Sequence, residues 1–159
     1  MYKLFCDIDS TVNDHWKRIQ RFTVNGTCDW HRAFSRDEIL KDGVLPNAVE
    51  SINKLSQKYE VHFLTARPFA NAYEITESWL IQSGFTNYNS ILIVDKSMDK
   101  LKYVTEPNCL FIDDLSRKHE TNPPYTILYN DVITMLDHHN VDYELFKNNW
   151  NDIIKRRLK

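Results

Sequence analysis

Short runs of hydrophobic residues alternate along the chain with segments of helical periodicity. The runs are rich in Ile, Leu, Val, Phe and Tyr and mostly lack a polar residue at every second position, which is typical of strands covered on both faces. They predict strands at Tyr2–Cys6, Val61–Leu64, Ser90–Val94, Cys109–Ile112 and Tyr125–Tyr129.

The segments between these runs repeat their hydrophobic residues every three or four positions, which is the spacing of one helix face. They predict helices at Pro46–Lys58, Phe69–Ser83, Asp131–His139 and Asp142–Leu158. Gly84 is expected to end the second helix, because glycine readily adopts the left-handed conformation found after a helix. The sequence Ser35-Arg36-Asp37-Glu38 matches a capping box at the start of a further helix.

Strands and helices that alternate in this way predict a three-layer α/β fold, in which a parallel five-stranded sheet of the Rossmann type lies between two layers of helices. The chain has no internal repeat, low-complexity tract or Gly/Ser-rich linker. Residues 1–159 are therefore expected to form a single domain.

Composition argues against several classes of partner and site, although it does not exclude a local basic patch. The 20 Lys and Arg residues nearly balance the 22 Asp and Glu residues, so no charge excess indicates a nucleic acid or an acidic membrane as partner. No apolar run approaches the roughly 20 residues of a membrane span. The three cysteines have no Cys-x-x-Cys spacing, which argues against a structural zinc site and favours free thiols in a reducing cytoplasm.

Polar and charged residues follow four of the predicted strands, at the point where each strand ends. In chain order they are Asp7, Asp9 and Thr11, then Thr65 and Arg67, then Lys96, then Asp113 and Asp114. Because the carboxyl ends of parallel strands lie at one edge of the sheet, where such folds bind ligands, we expect these side chains to come together.

This ordered set resembles the haloacid dehalogenase superfamily. Its phosphohydrolase members carry Asp-x-Asp-x-Thr after the first strand, then a Thr or Ser, then a Lys, and then an acidic pair. The resemblance extends from Tyr2 to about Tyr129. It implies the superfamily's fold and a Mg²⁺-dependent hydrolase of phosphate monoesters that works through an aspartyl-phosphate.

The resemblance also implies a role for each residue. Asp7 is the expected nucleophile, Asp9 the general acid and base, and Thr65 a hydrogen-bond donor to the phosphate. Asp9 favours a phosphohydrolase over a dehalogenase, because an ester oxygen needs a proton to leave and a halide does not. Mg²⁺ would be held by Asp7, the main-chain carbonyl of Asp9 and Asp113, with Asp114 in a supporting position.

The cation that neutralises Asp7 and the phosphate is expected to be Lys96, because it directly follows the third strand. Lys100 and Lys102 remain alternatives. The residues expected to contact the substrate are Thr11, Arg67, Lys100 and Trp30. For Arg67, an ion pair with a surface carboxylate is the alternative.

Superfamily members usually close over small substrates with an inserted cap. Too few residues separate Thr65 from Lys96 for an insertion, so a small helical cap is expected over about residues 13–45, with helical stretches near Asn13–Phe22 and Asp29–Asp42. We expect Trp16 to lie in the apolar core of the cap. For Trp30, stacking on a nucleobase and packing in that core are equally favoured.

Asp95-Lys96 followed by Phe111-Ile112-Asp113-Asp114 most resembles the 5′-deoxynucleotidase branch, which implies a nucleoside monophosphate as substrate. The Thr65-x-Arg67 pattern is similar to the phosphatase half of polynucleotide kinase-phosphatases, so a nucleic-acid 3′-phosphate end is the alternative substrate. A receiver-like phosphate-binding module is disfavoured, because its acidic pair belongs after the first strand. The sequence leaves open whether the chain associates with itself.

Overall fold

A computed structural model of the chain describes residues 1–120 and 127–159. Its strands are β1 (Tyr2–Cys6), β2 (Thr23–Val24), β3 (Thr27–Cys28), β4 (Tyr59–Ala66), β5 (Ser90–Val94), β6 (Cys109–Asp113), β7 (Ser116–Arg117), β8 (Ile127–Leu128) and β9 (Asp142–Leu145). Its helices are α1 (His15–Arg21), α2 (Trp30–Ala33), α3 (Arg36–Ile39), α4 (Ala48–Leu55), α5 (Ala72–Gln82), α6 (Leu101–Val104), α7 (Asn130–His138) and α8 (Trp150–Arg157), and a 3₁₀ helix covers Ser97–Lys100.

A five-stranded sheet in the order β5-β4-β1-β6-β9 forms the centre of the fold. All of its neighbouring strands are parallel, and β1 lies between β4 and β6. The chain leaves β1 toward β4 and later returns on its other side to β6. The carboxyl ends of these three strands are therefore adjacent, which is the position where ligands bind in open parallel sheets.

Helices cover both faces of this sheet, so the predicted three-layer α/β fold is confirmed. Alternate residues of each strand enter opposite layers of the core. One layer contains Leu4, Cys6, Val61, Phe63, Ile112, Trp79 and Trp150, and the other contains Phe5, Leu64, Phe111, Val104, Val132 and Leu136.

The fifth strand of the sheet differs from the prediction. It is β9, which lies in the segment Asp142–Leu158 predicted as one helix. The described part of the predicted strand Tyr125–Tyr129 contributes instead β8, which pairs with β7 outside the main sheet, while residues 125 and 126 lie outside the described residues. The C-terminal helix starts only at Trp150, where the Asn149 side chain accepts a hydrogen bond from the Asp152 N–H at 3.2 Å.

The other predicted helices are confirmed as α4 and α5, which are shorter than predicted, and α7, which is shifted by one residue. Gly84 follows α5 with a φ of 93°, in the left-handed region expected for it. The prediction of a capping box at Ser35 is wrong. Ser35 does precede α3, but its side chain makes no capping hydrogen bond to the described residues, and Glu38 pairs with Arg21 and Lys41 instead.

Residues 13–45, the predicted cap, carry α1, the hairpin of β2 and β3, α2 and α3. Their small core contains Ile19, Cys28 and Ala33. Trp16 is not part of it, which corrects the prediction: the residue is only half-buried and faces a cavity that Phe146 also lines. None of the helices in the described part of the chain has the length and apolar character that a membrane span requires.

Candidate active site

Two strand ends bring two aspartates together at the centre of the sheet edge. The main-chain N–H of Asp7 donates to the Ile112 carbonyl at 2.9 Å, which continues the pairing of β1 with β6 by one residue. Asp113 ends β6 beside it, and both carboxylates are buried. Asp114 follows and is buried as well.

Lys100 supplies the positive charge between these aspartates. Its Nζ lies 2.9 Å from Asp7 Oδ1 and 2.7 Å from Asp113 Oδ2, and the side chain is buried. This corrects the prediction for Lys96, which is exposed. The reason is the single 3₁₀ turn after β5: Lys96 begins it, with its N–H bound to Asp99, and the turn carries Lys100 back to the sheet edge. Lys102 is also exposed.

The carboxylates of Asp7, Asp113 and Asp114 are close enough to share a metal ion. Each offers one oxygen, and the three oxygens lie within 4.8 Å of one another. Burial raises the pKa of Asp7 to about 6, with a further increase from the charge of Asp113 and a partial offset from Lys100. Burial and the neighbouring aspartates raise the pKa of Asp114 well above its usual range. The cluster therefore lacks positive charge, and its oxygen donors fit a hard divalent cation.

Asp9 lies apart from this cluster, because its carboxylate faces Arg67. Arg67 Nη2 and Nε donate to Asp9 Oδ1 and Oδ2 at 2.8 and 3.1 Å, and His15 Nδ1 lies 3.3 Å from Oδ1. Burial alone would raise the pKa of Asp9, but the charges of Arg67 and His15 lower it well below its usual range. The side chain of Asp9 is thus ionised, and its metal-binding role through the main-chain carbonyl stays a prediction.

Arg67 does not reach the cavity, which corrects its prediction as a substrate contact. The side chain is fully buried, and its third donor group, Nη1, binds the Thr76 hydroxyl at 2.8 Å. The alternative prediction, an ion pair of Arg67 with a carboxylate, agrees better with the structure. The partner, however, is Asp9 at the site and not a surface carboxylate. Arg67 therefore fixes the position of Asp9.

Thr11 is also buried beneath the site and cannot contact a substrate. Its Oγ1 lies 3.1 Å from both Asp7 Oδ2 and Asp114 Oδ1, and it accepts a hydrogen bond from the Asp114 N–H at 3.2 Å. The turn in which the Thr11 N–H binds the Ile8 carbonyl places the hydroxyl there. The predicted substrate contact is wrong, and Thr11 instead orients two carboxylates.

Thr65 has the unused hydroxyl that a phosphate site requires. It lies in β4, one residue before the strand's end, and its Oγ1 is buried without a hydrogen-bond partner among the described residues. A buried hydroxyl without a partner costs about 1–3 kcal/mol. Because Thr65 lines the cavity above Asp7, a ligand there can accept its hydrogen bond.

A cavity of about 220 Å³ lies above these residues. Its floor is formed by Asp7, Thr65 and Lys100, together with Asp113 and Asp114. Its walls come mainly from the cap and from the loop after β6, which contribute His15, Ile19, Trp30, Phe34, Ser116 and His119, and Ala66, Ser97 and Tyr129 also line it. Trp30 is 49% exposed and its ring centroid lies 5.9 Å from that of Phe34, so Trp30 is at the mouth of the cavity.

Sequence reasoning missed the polar residues that the cap and the loop add. His15 contacts Asp9, and His119 and Ser116 contact each other at 2.9 Å beside Asp114. No metal-ligand spacing marked either histidine. The one available signal was position, since Ser116 and His119 belong to the same loop as the acidic pair.

No protein-family model matches the sequence, and no curated protein matches it either. Among solved structures, the fold is similar to a haloacid dehalogenase-like family hydrolase from Streptococcus pneumoniae, with a TM-score of 0.59 and 13% sequence identity. The alignment covers 98% of each chain. The chain therefore has the fold of a haloacid dehalogenase-like hydrolase over almost its whole length.

Proposed function

We propose that the protein is a Mg²⁺-dependent hydrolase of phosphate monoesters that acts through an aspartyl-phosphate on Asp7. The observation that carries the proposal is the floor of the cavity. There the buried Asp7 carboxylate, Lys100 and the Thr65 hydroxyl, which has no partner among the described residues, lie together with two further carboxylates. This set can bind an anion only if its own negative charge is first offset.

Mg²⁺ would be held by the carboxylates of Asp7, Asp113 and Asp114, with the main-chain carbonyl of Asp9 as a further donor. When bound, the ion offsets the charge of the phosphate and polarises its P–O bonds. Lys100 also offsets negative charge, because its ammonium group contacts Asp7 and Asp113 directly.

In the first step, a carboxylate oxygen of Asp7 attacks phosphorus while the bond from phosphorus to the ester oxygen breaks. The Thr65 hydroxyl donates to a phosphate oxygen. The leaving oxygen takes a proton from Asp9, which therefore has to be protonated first. The negative charge of a bound phosphate favours this protonation, because it opposes the effect of Arg67 and His15.

In the second step, Asp9 is the general base. It takes a proton from a water molecule, whose oxygen attacks phosphorus, and the bond between Asp7 and phosphorus breaks to release inorganic phosphate. The ionised state that Arg67 and His15 impose on Asp9 suits this step directly. Arg67 keeps Asp9 in place throughout, since it holds both of its carboxylate oxygens.

The substrate that we propose is a small nucleotide, a (deoxy)nucleoside 5′-monophosphate. Trp30 supports this choice, because it lines the same cavity as Asp7 and its exposed ring beside Phe34 can stack on a base. Base stacking on an aromatic side chain contributes about 1–3 kcal/mol. The enzyme would then be a 5′-nucleotidase of nucleotide metabolism.

A second candidate substrate is the 3′-phosphate end of a nucleic acid. It is favoured by a second cavity of about 650 Å³, which shares the lining residues Asp114, Ser116 and His119 with the first. Trp16 and Lys147 line this cavity, so it has room and an aromatic face for a substrate longer than a mononucleotide.

The reaction is tested with p-nitrophenyl phosphate and Mg²⁺. We expect wild-type protein to release nitrophenol, Asp7→Asn to lose this activity while remaining folded by circular dichroism, and excess chelator to stop the wild type. Asp95→Asn is the matched control, because Asp95 also follows a strand of the sheet but is exposed. Undiminished activity in Asp7→Asn would reject the proposed mechanism.

The substrate is tested with a panel of nucleoside 5′-monophosphates and a 3′-phosphorylated oligonucleotide, by phosphate release. A higher kcat/KM for a mononucleotide supports the 5′-nucleotidase. A clear preference for the oligonucleotide would make the second candidate the substrate.

A further inference from the structure

His119 is buried beside the proposed metal site, and the reaction described above gives it no role. The residue is 6% exposed and lies in the loop that follows β6. Its Nδ1 is 3.4 Å from the Ser10 hydroxyl oxygen, and its Nε2 is 2.9 Å from that of Ser116. Both ring nitrogens are therefore occupied by hydroxyl groups of the chain itself.

The contacts of Ser116 indicate which group is the donor in each of these hydrogen bonds. The Ser116 hydroxyl donates its one hydrogen to Asp114 Oδ2, so a second hydrogen bond at Ser116 Oγ has to be accepted by it. Ser116 Oγ then accepts from the Nε2–H of His119, and Nδ1 accepts from Ser10. The ring has to be neutral for this, and burial, aided by His15, lowers the pKa of His119 to about 4.

Asp114 is thus held from two sides. Thr11 contacts Oδ1 from below, within the segment that follows β1, and Ser116 contacts Oδ2 from the loop. That loop contains Leu115 and Lys118 with positive φ angles of 47° and 69°. Such backbone conformations cost about 1 kcal/mol or more for residues other than glycine and persist only where contacts hold them.

His119 provides contacts that hold the loop. Its ring is fixed by Ser10 on one side, and its main-chain carbonyl accepts a hydrogen bond from the Gln20 side chain of α1 in the cap. Removing the ring would free Ser116 to rotate away from Asp114. Of the two side-chain contacts to the Asp114 carboxylate named above, the one from Thr11 would then remain.

We infer that His119 is a positioning residue of the metal site, which fixes the Asp114 carboxylate through the Ser116 hydroxyl. The inference rests on the proposed function, because it takes Asp114 to face Mg²⁺. Side chains that orient a metal ligand through a hydrogen bond typically change metal affinity by about 10–100-fold when they are removed.

The test measures Mg²⁺ binding to the metal-free, full-length protein by isothermal titration calorimetry, without substrate. We expect His119→Ala to bind Mg²⁺ about tenfold more weakly than the wild type. His119→Gln should stay within about threefold, because its amide N–H can still donate to Ser116. His138→Ala is the control and should bind like the wild type, since His138 is exposed at the end of α7.

Ser116→Ala provides the second half of the test. If His119 acts through Ser116, this variant should weaken Mg²⁺ binding about as much as His119→Ala, and the double variant should be no weaker than either single one. A merely structural role of His119 would lower the stability of the variants but leave the Mg²⁺ affinity of the folded protein unchanged. Unchanged affinity in His119→Ala, or losses that multiply in the double variant, would overturn the inference.

Circular dichroism checks that each variant folds. Should His119→Ala not fold, Ser116→Ala and His119→Gln decide, because only the first should weaken binding. If Mg²⁺ binding follows the expected pattern but no phosphate ester is hydrolysed, the proposed function fails and this inference stands. If hydrolysis occurs and His119→Ala binds Mg²⁺ normally, the inference alone fails. A wild type that binds no Mg²⁺ overturns both.

Discussion

The sheet edge and the cap both bury charged side chains, but they balance the charges differently. At the edge, the carboxylates of Asp7, Asp113 and Asp114 lie around the single ammonium group of Lys100. In the cap, Arg18 is fully buried and pairs mainly with the Asp42 carboxylate, with its Nε at 2.9 and 3.1 Å from the two oxygens, while its Nη2 also lies 3.5 Å from Asp9 Oδ1. The edge is short of positive charge, whereas this pair in the cap is complete.

This difference separates a site from a structural contact. A buried ion pair with its hydrogen bonds satisfied fixes one arrangement of the chain, and breaking it mainly costs stability. A buried group of like charges is unfavourable unless a ligand or ion completes it, and such groups are typical of functional sites. We therefore expect substitutions at the edge to change activity and substitutions at Arg18 to change stability.

The largest expected effect is on stability, from Arg18→Met in the cap. Arg18 also donates to the Ala33 carbonyl at 2.7 Å, so its loss leaves Asp42 buried without a cation and one carbonyl without its donor. The free energy of unfolding should fall by about 3–5 kcal/mol, measured by urea denaturation. Arg21→Met is the matched control from the same helix, because its ion pair with Glu38 is exposed, and it should cost about 1 kcal/mol or less. Equal losses in the two variants would contradict the comparison.

Next in size is the effect of Lys100→Met at the sheet edge. The variant lacks the cation that contacts Asp7 and Asp113, so kcat/KM for p-nitrophenyl phosphate should fall by about 100- to 1000-fold. Lys96→Met should stay within about twofold, because Lys96 is exposed. A larger loss in Lys96→Met than in Lys100→Met would show that the lysine predicted from the sequence is the functional one after all.

These two lysines also show what the sequence could predict about the site. The aspartates at the ends of β1 and β6 were predictable, because a residue at the carboxyl end of a parallel strand necessarily lies at the edge of the sheet where ligands bind. Lys100 was harder to choose, since its position depends on a 3₁₀ turn that the residues after β5 do not determine by pattern alone. The direction of Arg67 depends on its partner Asp9, which no spacing in the sequence reveals.

The fold shows the same division. Strands in the middle of the sheet, such as β1 and β6, are largely buried and hydrophobic and were predicted nearly to the residue. The edge strand β9 is short and alternates polar with apolar residues, and its Asp142 and Glu144 form ion pairs with Arg157. The apolar residues of β9 are spaced so that they continue the helical pattern of α8, and the two elements were therefore predicted as one helix.

For Thr65→Val we expect a smaller loss of activity and, unusually for a substitution of a buried residue, no loss of stability. Loss of a hydrogen bond to the phosphate should lower kcat/KM by about 10- to 100-fold. The free energy of unfolding should not decrease, because the Oγ1 that is removed has no partner among the described residues. Urea denaturation and phosphate release measure the two quantities on the same protein.

Thr76→Val is the control for this separation. Thr76 is buried like Thr65, but its hydroxyl accepts a hydrogen bond from Arg67 at 2.8 Å. Its loss should therefore lower the free energy of unfolding by about 1–3 kcal/mol. Similar stability changes in both variants would mean that Thr65 has a partner in solution and that its hydroxyl is not reserved for a ligand.

The smallest effect is expected for Trp30→Ala, at the mouth of the cavity on the cap side. If the cap recognises the base while the edge performs the chemistry, this variant should raise KM for a nucleoside 5′-monophosphate about fivefold, which corresponds to about 1 kcal/mol of stacking. It should leave kcat for the same nucleotide nearly unchanged, because Trp30 lies at the mouth of the cavity and not among the residues proposed for the chemistry. Trp16→Ala, which faces the second cavity, should leave KM for the mononucleotide unchanged. An increase in KM for Trp16→Ala and none for Trp30→Ala would contradict this expectation. The substrate's base would then bind in the second cavity, between the cap and the loop after β9, and not beside Trp30.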